Sequence, residues 1–354
     1  MVMTMKITRY FIIYALLFIN ETFSCTIFTI KKENNTIIGK NRDALYSNKQ
    51  SFSRIKPINQ FTNWYNNNYN HNLQFYALIV DNDVKMGINE SGLTAIEEDP
   101  LFPQNHKKYR RFIQPINGNS EGMILFGILQ NFSSVNEIIP NLNIIFSNAA
   151  PNFYQIADKN KILVVEVAFG KDDFALTRDF TYKVIDKNNT SYTHTNNYLS
   201  SNFTQLNNIS DKNSLTSSQY RLNNITKLVN NYNNKNELTQ WFFNTKSNLN
   251  LNTPHYTCLN SSIFRSNIGN HNNIPTKTID NKIYGSISNM IIINKANSTK
   301  IIVRILDSIQ VRKNQQIIHY KELNTTLKNL FKTNNIKYIK KSFIRKLPKN
   351  NICE

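Results

Sequence analysis

Apolar residues recur in this chain with several spacings, and each spacing predicts a different element. Residues 10–20 form one apolar run (Phe11, Ile12, Ile13, Ala15, Leu16, Leu17, Phe18 and Ile19) behind Lys6 and Arg9. At about ten residues the run is too short to span a bilayer, which needs about 20, and it suits the apolar stretch of a secretory signal. Residues 26–30 alternate weakly, Asn34-Asn35 reads as a tight turn, and 36–38 read as the returning strand of a hairpin. Further strands are predicted over 75–80, 142–146, 162–168, 282–293 and 300–306. Helices are predicted over 121–139, 217–232 and 235–246. In the second of these, Ser217 and Ser218 are N-cap candidates, and Leu222, Ile225, Leu228 and Val229 share one face. Strands interleaved with helix pairs suit the α+β class. The Asn-rich spans 63–72 and 248–273 read as long surface loops. The basic segment after Asp307 reads as a terminal helix or a partly ordered tail.

Composition narrows the function classes. The 354 residues, 40% apolar and 12% aromatic, suffice for one large core or two small ones. The formal net charge is +19, a field that attracts anions such as nucleic acids, acidic headgroups or carboxylates. No nucleic-acid module accompanies it: there is no RNP-like stretch, zinc-ligand spacing or recognition-helix pattern. The expectation is therefore no nucleic-acid partner, a general attraction to anionic surfaces, and an open question as to homo-oligomers. No sequence feature calls for a metal or other cofactor.

The end of the apolar run carries the chemistry. Thr22 and Ser24 supply small residues three and one positions before Cys25, as a signal cut ahead of Cys25 requires. Residues 1–24 are read as the signal and 25–354 as a single domain, with 308–354 as its basic C-terminal segment. Export is the main expectation. Acylation of Cys25 as a lipoprotein, or retention of the apolar run as a membrane anchor, are the alternatives. An exported chain with three cysteines (Cys25, Cys258, Cys353) has an odd thiol. A Cys at a mature N-terminus joins nucleophile and base in one residue: its α-amine titrates near 7.7–8.0 and its thiol near 8.5. Such a residue needs an acid to orient the amine, a cation to favour thiolate, and donors for an oxyanion. The hairpin returns to Gly39-Lys40-Asn41-Arg42-Asp43, which can bring Asp43 beside Cys25.

From Cys25-Thr26 and that segment onward, the sequence resembles the N-terminal-nucleophile (Ntn) linear amide hydrolases. These include choloylglycine hydrolases, penicillin V acylases and the acyl-CoA:6-aminopenicillanate acyltransferases. Gly87-Ile88-Asn89-Glu90-Ser91-Gly92-Leu93, the Val164-Val165-Glu166 core, His194-Thr195-Asn196-Asn197-Tyr198, Ser217-Ser218-Gln219-Tyr220-Arg221 and Ser262-Ile263-Phe264-Arg265 continue the resemblance, the last three to the acyltransferase branch. The resemblance implies an αββα sandwich of two antiparallel sheets flanked by helices, and an amidohydrolase or acyltransferase acting on a small-molecule N-acyl amide. It makes Cys25 the nucleophile, Asp43 the acceptor for its amine, Asn196 the oxyanion donor and Arg221 the cation favouring thiolate, with Arg265 as the alternative. Asn89 and Glu90 fix a turn. A choloylglycine hydrolase-type enzyme and a non-catalytic basic binding protein of the same fold are the competing readings. Three departures stand out: Lys40 replaces the Arg of choloylglycine hydrolases and loses its planar fork, Asp99 stands near the place of a second Asn, and Asn197 replaces a second His.

Overall fold

The computed structural model describes residues 25–33, 35–45, 48–58, 71–101, 120–147, 149–169, 179–210, 212–230, 284–312, 315–333 and 336–346. The segments expected as a signal (1–24), a helix (235–246) and a surface loop (248–273), together with Arg265, Cys258 and Cys353, lie outside them.

Two antiparallel sheets carry the fold, each of seven strands among the described residues. The first runs β10 (Thr190–His194), β1 (Thr26–Lys32), β2 (Asn35–Leu45), β11 (Tyr284–Asn294), β12 (Thr299–Arg312), β13 (Gln315–Thr326) and β14 (Ile339–Lys346). The second runs in chain order: β3 (Gln50–Ile55), β4 (Phe75–Val80), β5 (Asp83–Asn89), β6 (Thr94–Glu98), β7 (Asn152–Ala157), β8 (Ile162–Val167) and β9 (Phe180–Ile185). Ile27, Ile38, Met290, Ile292 and Val303 of the first sheet pack against Tyr76, Leu78, Met86, Ile88 and Ile96 of the second. The outer face of the second sheet is covered by α1 (Glu121–Asn131), α2 (Val135–Ile138) and α3 (Leu142–Phe146). The outer face of the first is covered by α4 (Lys212–Asn230), whose Ile225 and Val229 meet Phe28, Ile30 and Ile37. The layers thus run helix, sheet, sheet, helix, as expected from the αββα resemblance.

Because β1 is buried on both faces, its alternation is weak: Ile27 faces the other sheet and Phe28 the helix. Gly39 lies opposite Phe28 in the β1–β2 ladder, and a Cβ there would come within 2.4 Å of the Phe28 ring. The tight ladder next to Cys25 therefore depends on that glycine.

Four expectations are corrected. The 142–146 strand is the short helix α3: Leu142, Ile145 and Phe146 are buried while Asn143 and Ile144 are exposed, a helical spacing following the turn at Pro140-Asn141. The 121–139 helix stops at Asn131, where Phe132 turns extended and Asn89 Nδ2 donates to the carbonyls of Leu129 and Phe132. The 217–232 helix begins at Lys212, so Ser217 and Ser218 lie inside it and not at its N-cap. The segment beyond Asp307 is mostly strand among its described residues. It completes β12 and adds β13, the short helix α5 (Leu327–Lys332) and β14. Its charges pair across the ladder, with Glu322 taking Arg304 at 3.0 Å and Lys341 at 2.7 Å.

Candidate active site

Cys25 sits at the head of β1, fully buried, where the two sheets face each other. Its strand is interior: Ile27 lies opposite His194 of β10 on one side and Lys40 of β2 on the other. The same ladder sets Thr26 opposite Asn41, so Arg42 and Asp43 continue β2 at the level where Cys25 enters. Asp43 is placed by its backbone, opposite Ser286 and beside a bulge in the β2–β11 ladder.

Burial pushes the Cys25 thiol up to about 11; Lys40 and Arg42 pull it down, while Glu98 and Asp99 push it up further. In the chain with its N-terminal segment attached, the thiol is therefore protonated at neutral pH. Both cations belong to the hairpin, and both are engaged by Glu97. Lys40 Nζ lies 3.0 Å from Glu97 Oε1 and also donates to the Glu97 carbonyl. Arg42 lies 3.8 Å and Lys85 3.5 Å from the same oxygen, and Asn152 donates to the other at 3.0 Å. Burial alone would raise the Glu97 carboxyl, but Lys40, Lys85 and Arg42 outweigh it and hold it at about 2.

Arg221 approaches from α4. Its buried guanidinium donates to the Cys25 carbonyl, to Thr26 Oγ1 at 3.2 Å and to Asn196 Oδ1 at 2.7 Å. Asn196 Nδ2 in turn donates to the Asp99 carbonyl at 2.7 Å, and the Asn196 carbonyl accepts from Leu101 N–H at 2.7 Å. One turn before Arg221, Ser218 Oγ donates to Asn197 Oδ1 at 2.7 Å, and Thr195 Oγ1 donates to the Ser218 carbonyl at 3.0 Å. The Ser-Ser-x-x-Arg segment thereby locks the 194–197 bend onto α4. Asn197, where the branch has a second His, serves as an acceptor in this lock.

A second group was not anticipated from the sequence. His194 is fully buried, with Nε2 3.1 Å from Glu166 Oε1 and Nδ1 against the Thr195 carbonyl. Burial disfavours its charge, but the carboxylates of Glu166 and Glu98 outweigh burial and raise it to about 9. Glu166 also accepts from the N–H groups of Leu199 and Ser200, at 3.1 Å each to its nearer oxygen. Glu98 is fully buried at the end of β6, 3.8 Å from His194 Nδ1. Neither of its carboxyl oxygens has a hydrogen-bond partner among the described residues. The only hints in the sequence were the doublet Glu97-Glu98 and the two motifs that separately contain Glu166 and His194.

The structure therefore brings Cys25, Asn196 and Arg221 together and sets the backbone of Asp43 on the adjoining strand. The charges that lower the thiol pKa come from Lys40 and Arg42, whereas Arg221 is bonded to the Cys25 carbonyl. Asn89 closes the β5–β6 turn, accepting from Ser91 and Leu93 N–H groups at 3.1 and 3.0 Å, with Gly92 at φ +89°. Glu90 accepts from Gln74 N–H at 3.0 Å beside it.

Comparison with known proteins bears on the same region. The model of the family "Acyl-coenzyme A:6-aminopenicillanic acid acyl-transferase" matches residues 30–268, two thirds of the chain, beginning five residues after Cys25. No curated protein matches. Among solved structures, a Caenorhabditis elegans N-acylethanolamine-hydrolyzing acid amidase (NAAA) ortholog is similar at 13% identity and a TM-score of 0.36, over 64% of this chain and 88% of that one. With the family match spanning the hairpin, the 194–198 bend and the Arg221 helix, the chain belongs to the acyl-coenzyme A:6-aminopenicillanic acid acyl-transferase family and is a hydrolase or acyltransferase of the N-terminal-nucleophile type.

Proposed function

We propose that the protein is an exported amidohydrolase or acyltransferase that cleaves carbon–nitrogen bonds of linear N-acyl amides through a Cys25 acyl-enzyme, after signal removal before Cys25. The observation that carries this reading is the burial of Cys25 between Lys40, Arg42, Asn196 and Arg221 at the head of an interior strand. A thiol at about 11 is idle at neutral pH. Hydrolysis of the Ser24–Cys25 bond supplies the missing base, an α-amine with a reference pKa near 7.7–8.0.

In this mechanism the Cys25 thiol passes its proton to its own amine, and the thiolate attacks the substrate carbonyl carbon. Asn196 faces the resulting oxyanion, its carboxamide held in one orientation by Arg221 and the Asp99 carbonyl. Asp43 accepts from the ammonium group and keeps it over the reacting atoms. The ammonium returns its proton to the leaving nitrogen as the carbon–nitrogen bond breaks, which leaves a thioester on Cys25. Water or a second amine then attacks the thioester, and the choice between them separates a penicillin V acylase-type hydrolase from a transferase.

Intact-mass measurement of exported protein is the primary test: the chain is expected to begin at Cys25, without lipid. A different start, or a lipid mass on Cys25, defeats the mechanism. Cys25→Ala is expected to reduce turnover of N-acyl amides by on the order of 10⁴-fold or more; wild-type rates in that variant would remove Cys25 as nucleophile. Added hydroxylamine is expected to raise total acyl release if water access limits the second step.

A further inference from the structure

Glu98 is a buried acid beside the nucleophile to which neither the resemblance nor the mechanism above assigns work. Acids this deeply buried are costly unless paired. Cations surround it, yet they are committed elsewhere. Lys40 is bonded to Glu97, Arg221 reaches to the Cys25 carbonyl, Thr26 and Asn196, and His194 is bonded to Glu166 and the Thr195 carbonyl. His194 Nδ1, at 3.8 Å, is beyond hydrogen-bond distance. Its one ion-pair partner among the described residues, His194 at 3.8 Å, is shared with Glu166, so the carboxyl has room for a further charged donor.

One charge is missing from the unprocessed chain by construction. The nitrogen of Cys25 is a neutral amide while Ser24 is attached. Hydrolysis places the oxygen of water on the Ser24 carboxylate and leaves an amine on Cys25, which takes up a proton. A cation with three donors then appears two residues before Ile27, which lies opposite His194 in the β1–β10 ladder, and Glu98 lies 3.8 Å from the His194 ring. We infer that the Glu98 carboxylate receives the α-ammonium group of Cys25 once the chain is cut, making Glu98 a positioning residue that acts through the catalytic amine. This inference rests on the reading that the mature chain starts at Cys25.

The groups facing Glu98 fix the sign of the effect. They are Cys25 from β1, Lys40 from β2, His194 and the Tyr192 phenol from β10, and Arg221 from α4, with Asp99 next in the chain and Glu166 behind His194. A carboxylate within about 4–6 Å raises the pKa of an ammonium group by about 1–3 units. Removing it lowers the first proton loss of the amine–thiol pair, so the acid limb of kcat/KM moves to lower pH.

The test uses exported mature protein carrying [13C]cysteine, with the mass of each preparation measured first. The Cys25 Cα shift reports the amine titration without substrate, and kcat/KM against pH reports it in turnover. In Glu98→Gln both midpoints are expected to fall by about one unit or more. In Glu98→Asp, which keeps the charge on a shorter arm, they are expected to lie between Gln and wild type. A mature start other than Cys25 overturns both this inference and the proposed function. A Cys25 start with midpoints unmoved in Glu98→Gln, or a raised KM with an unmoved acid limb, overturns the inference alone and assigns Glu98 to packing or to substrate. Should Glu98→Gln fail to fold, Glu98→Asp decides: a midpoint equal to wild type in both measurements counts against the inference.

Discussion

Glu97 and Glu98 are neighbours on β6, and both are fully buried, yet they live in opposite electrostatic worlds. Glu97 gathers Lys40, Lys85 and Arg42 around one oxygen and Asn152 around the other, and is held ionised at about 2. Glu98 has a single ion-pair partner among the described residues, His194 at 3.8 Å, which it shares with Glu166, and burial holds its carboxyl above the usual carboxylate range. The first cluster is closed. It ties β2, β5, β6 and β7 into one block and fixes the hairpin cations beneath Cys25. The second is open, with two carboxyls sharing one imidazole. Burial therefore does not by itself say what an acid is for; the completeness of its shell does.

The contrast is broken or sharpened by substitution. Glu97→Gln leaves three cations without their common carboxylate and is expected to cost about 3–5 kcal/mol, read as a fall in urea midpoint. A loss under about 1 kcal/mol would mean that the cluster is not closed in solution. Arg221→Met comes next: it frees the Cys25 carbonyl and the Asn196 carboxamide together, and is expected to lower kcat by about 10²–10³-fold with KM less affected. Unchanged kcat would detach Asn196 from the chemistry. pH separates the two acids. The Glu97 carboxyl is depressed, so its stabilisation is present above its ordinary value of 4.5 and is lost as pH falls through about 2. The Glu98 carboxyl is raised, so its ionisation burdens the folded state at neutral pH and that burden lifts as pH falls. Acid unfolding of Glu97→Gln is thus expected to lose a low-pH component that Glu98→Gln keeps. The smallest effect is Glu98→Gln in the unprocessed chain, expected to change stability by less than about 1 kcal/mol, since His194 at 3.8 Å is beyond hydrogen-bond distance and keeps Glu166. A loss as large as that of Glu97→Gln would erase the distinction.

The sequence revealed local structure well and lateral structure poorly. The β1–β2 hairpin could be read because its turn and returning strand are contiguous, and α4 because Leu222, Ile225, Leu228 and Val229 keep a helical period. The run at 142–146 was misread because five apolar-rich residues carry too few repeats to separate a buried helix from a strand. The strands beyond Asp307 were missed because Lys and Arg there read as solvent-facing charge, whereas Glu322 pairs with Lys341, and with Arg304 of the predicted 300–306 strand, across the ladder. Within the site, Cys25, Asp43, Asn196 and Arg221 each stood in a short motif. The Glu166–His194–Glu98 group did not, because it exists only when β6, β8 and β10 converge. A doublet of acids in a strand gives no sign of which one will find a partner.

The interior position of β1 has a temporal consequence. Cys25 is the first described residue of the chain, yet one flank of its strand is β10, and Arg221, bonded to its carbonyl, lies 196 residues away. Contacts of that separation form late, after loop closure has been paid. While the chain emerges from its N-terminus, the thiol has no guanidinium beside it and no wall on its β10 side. Cys25 therefore waits as an ordinary thiol through the first half of synthesis, and its β10 wall and its guanidinium arrive only once residues 190–221 have been made.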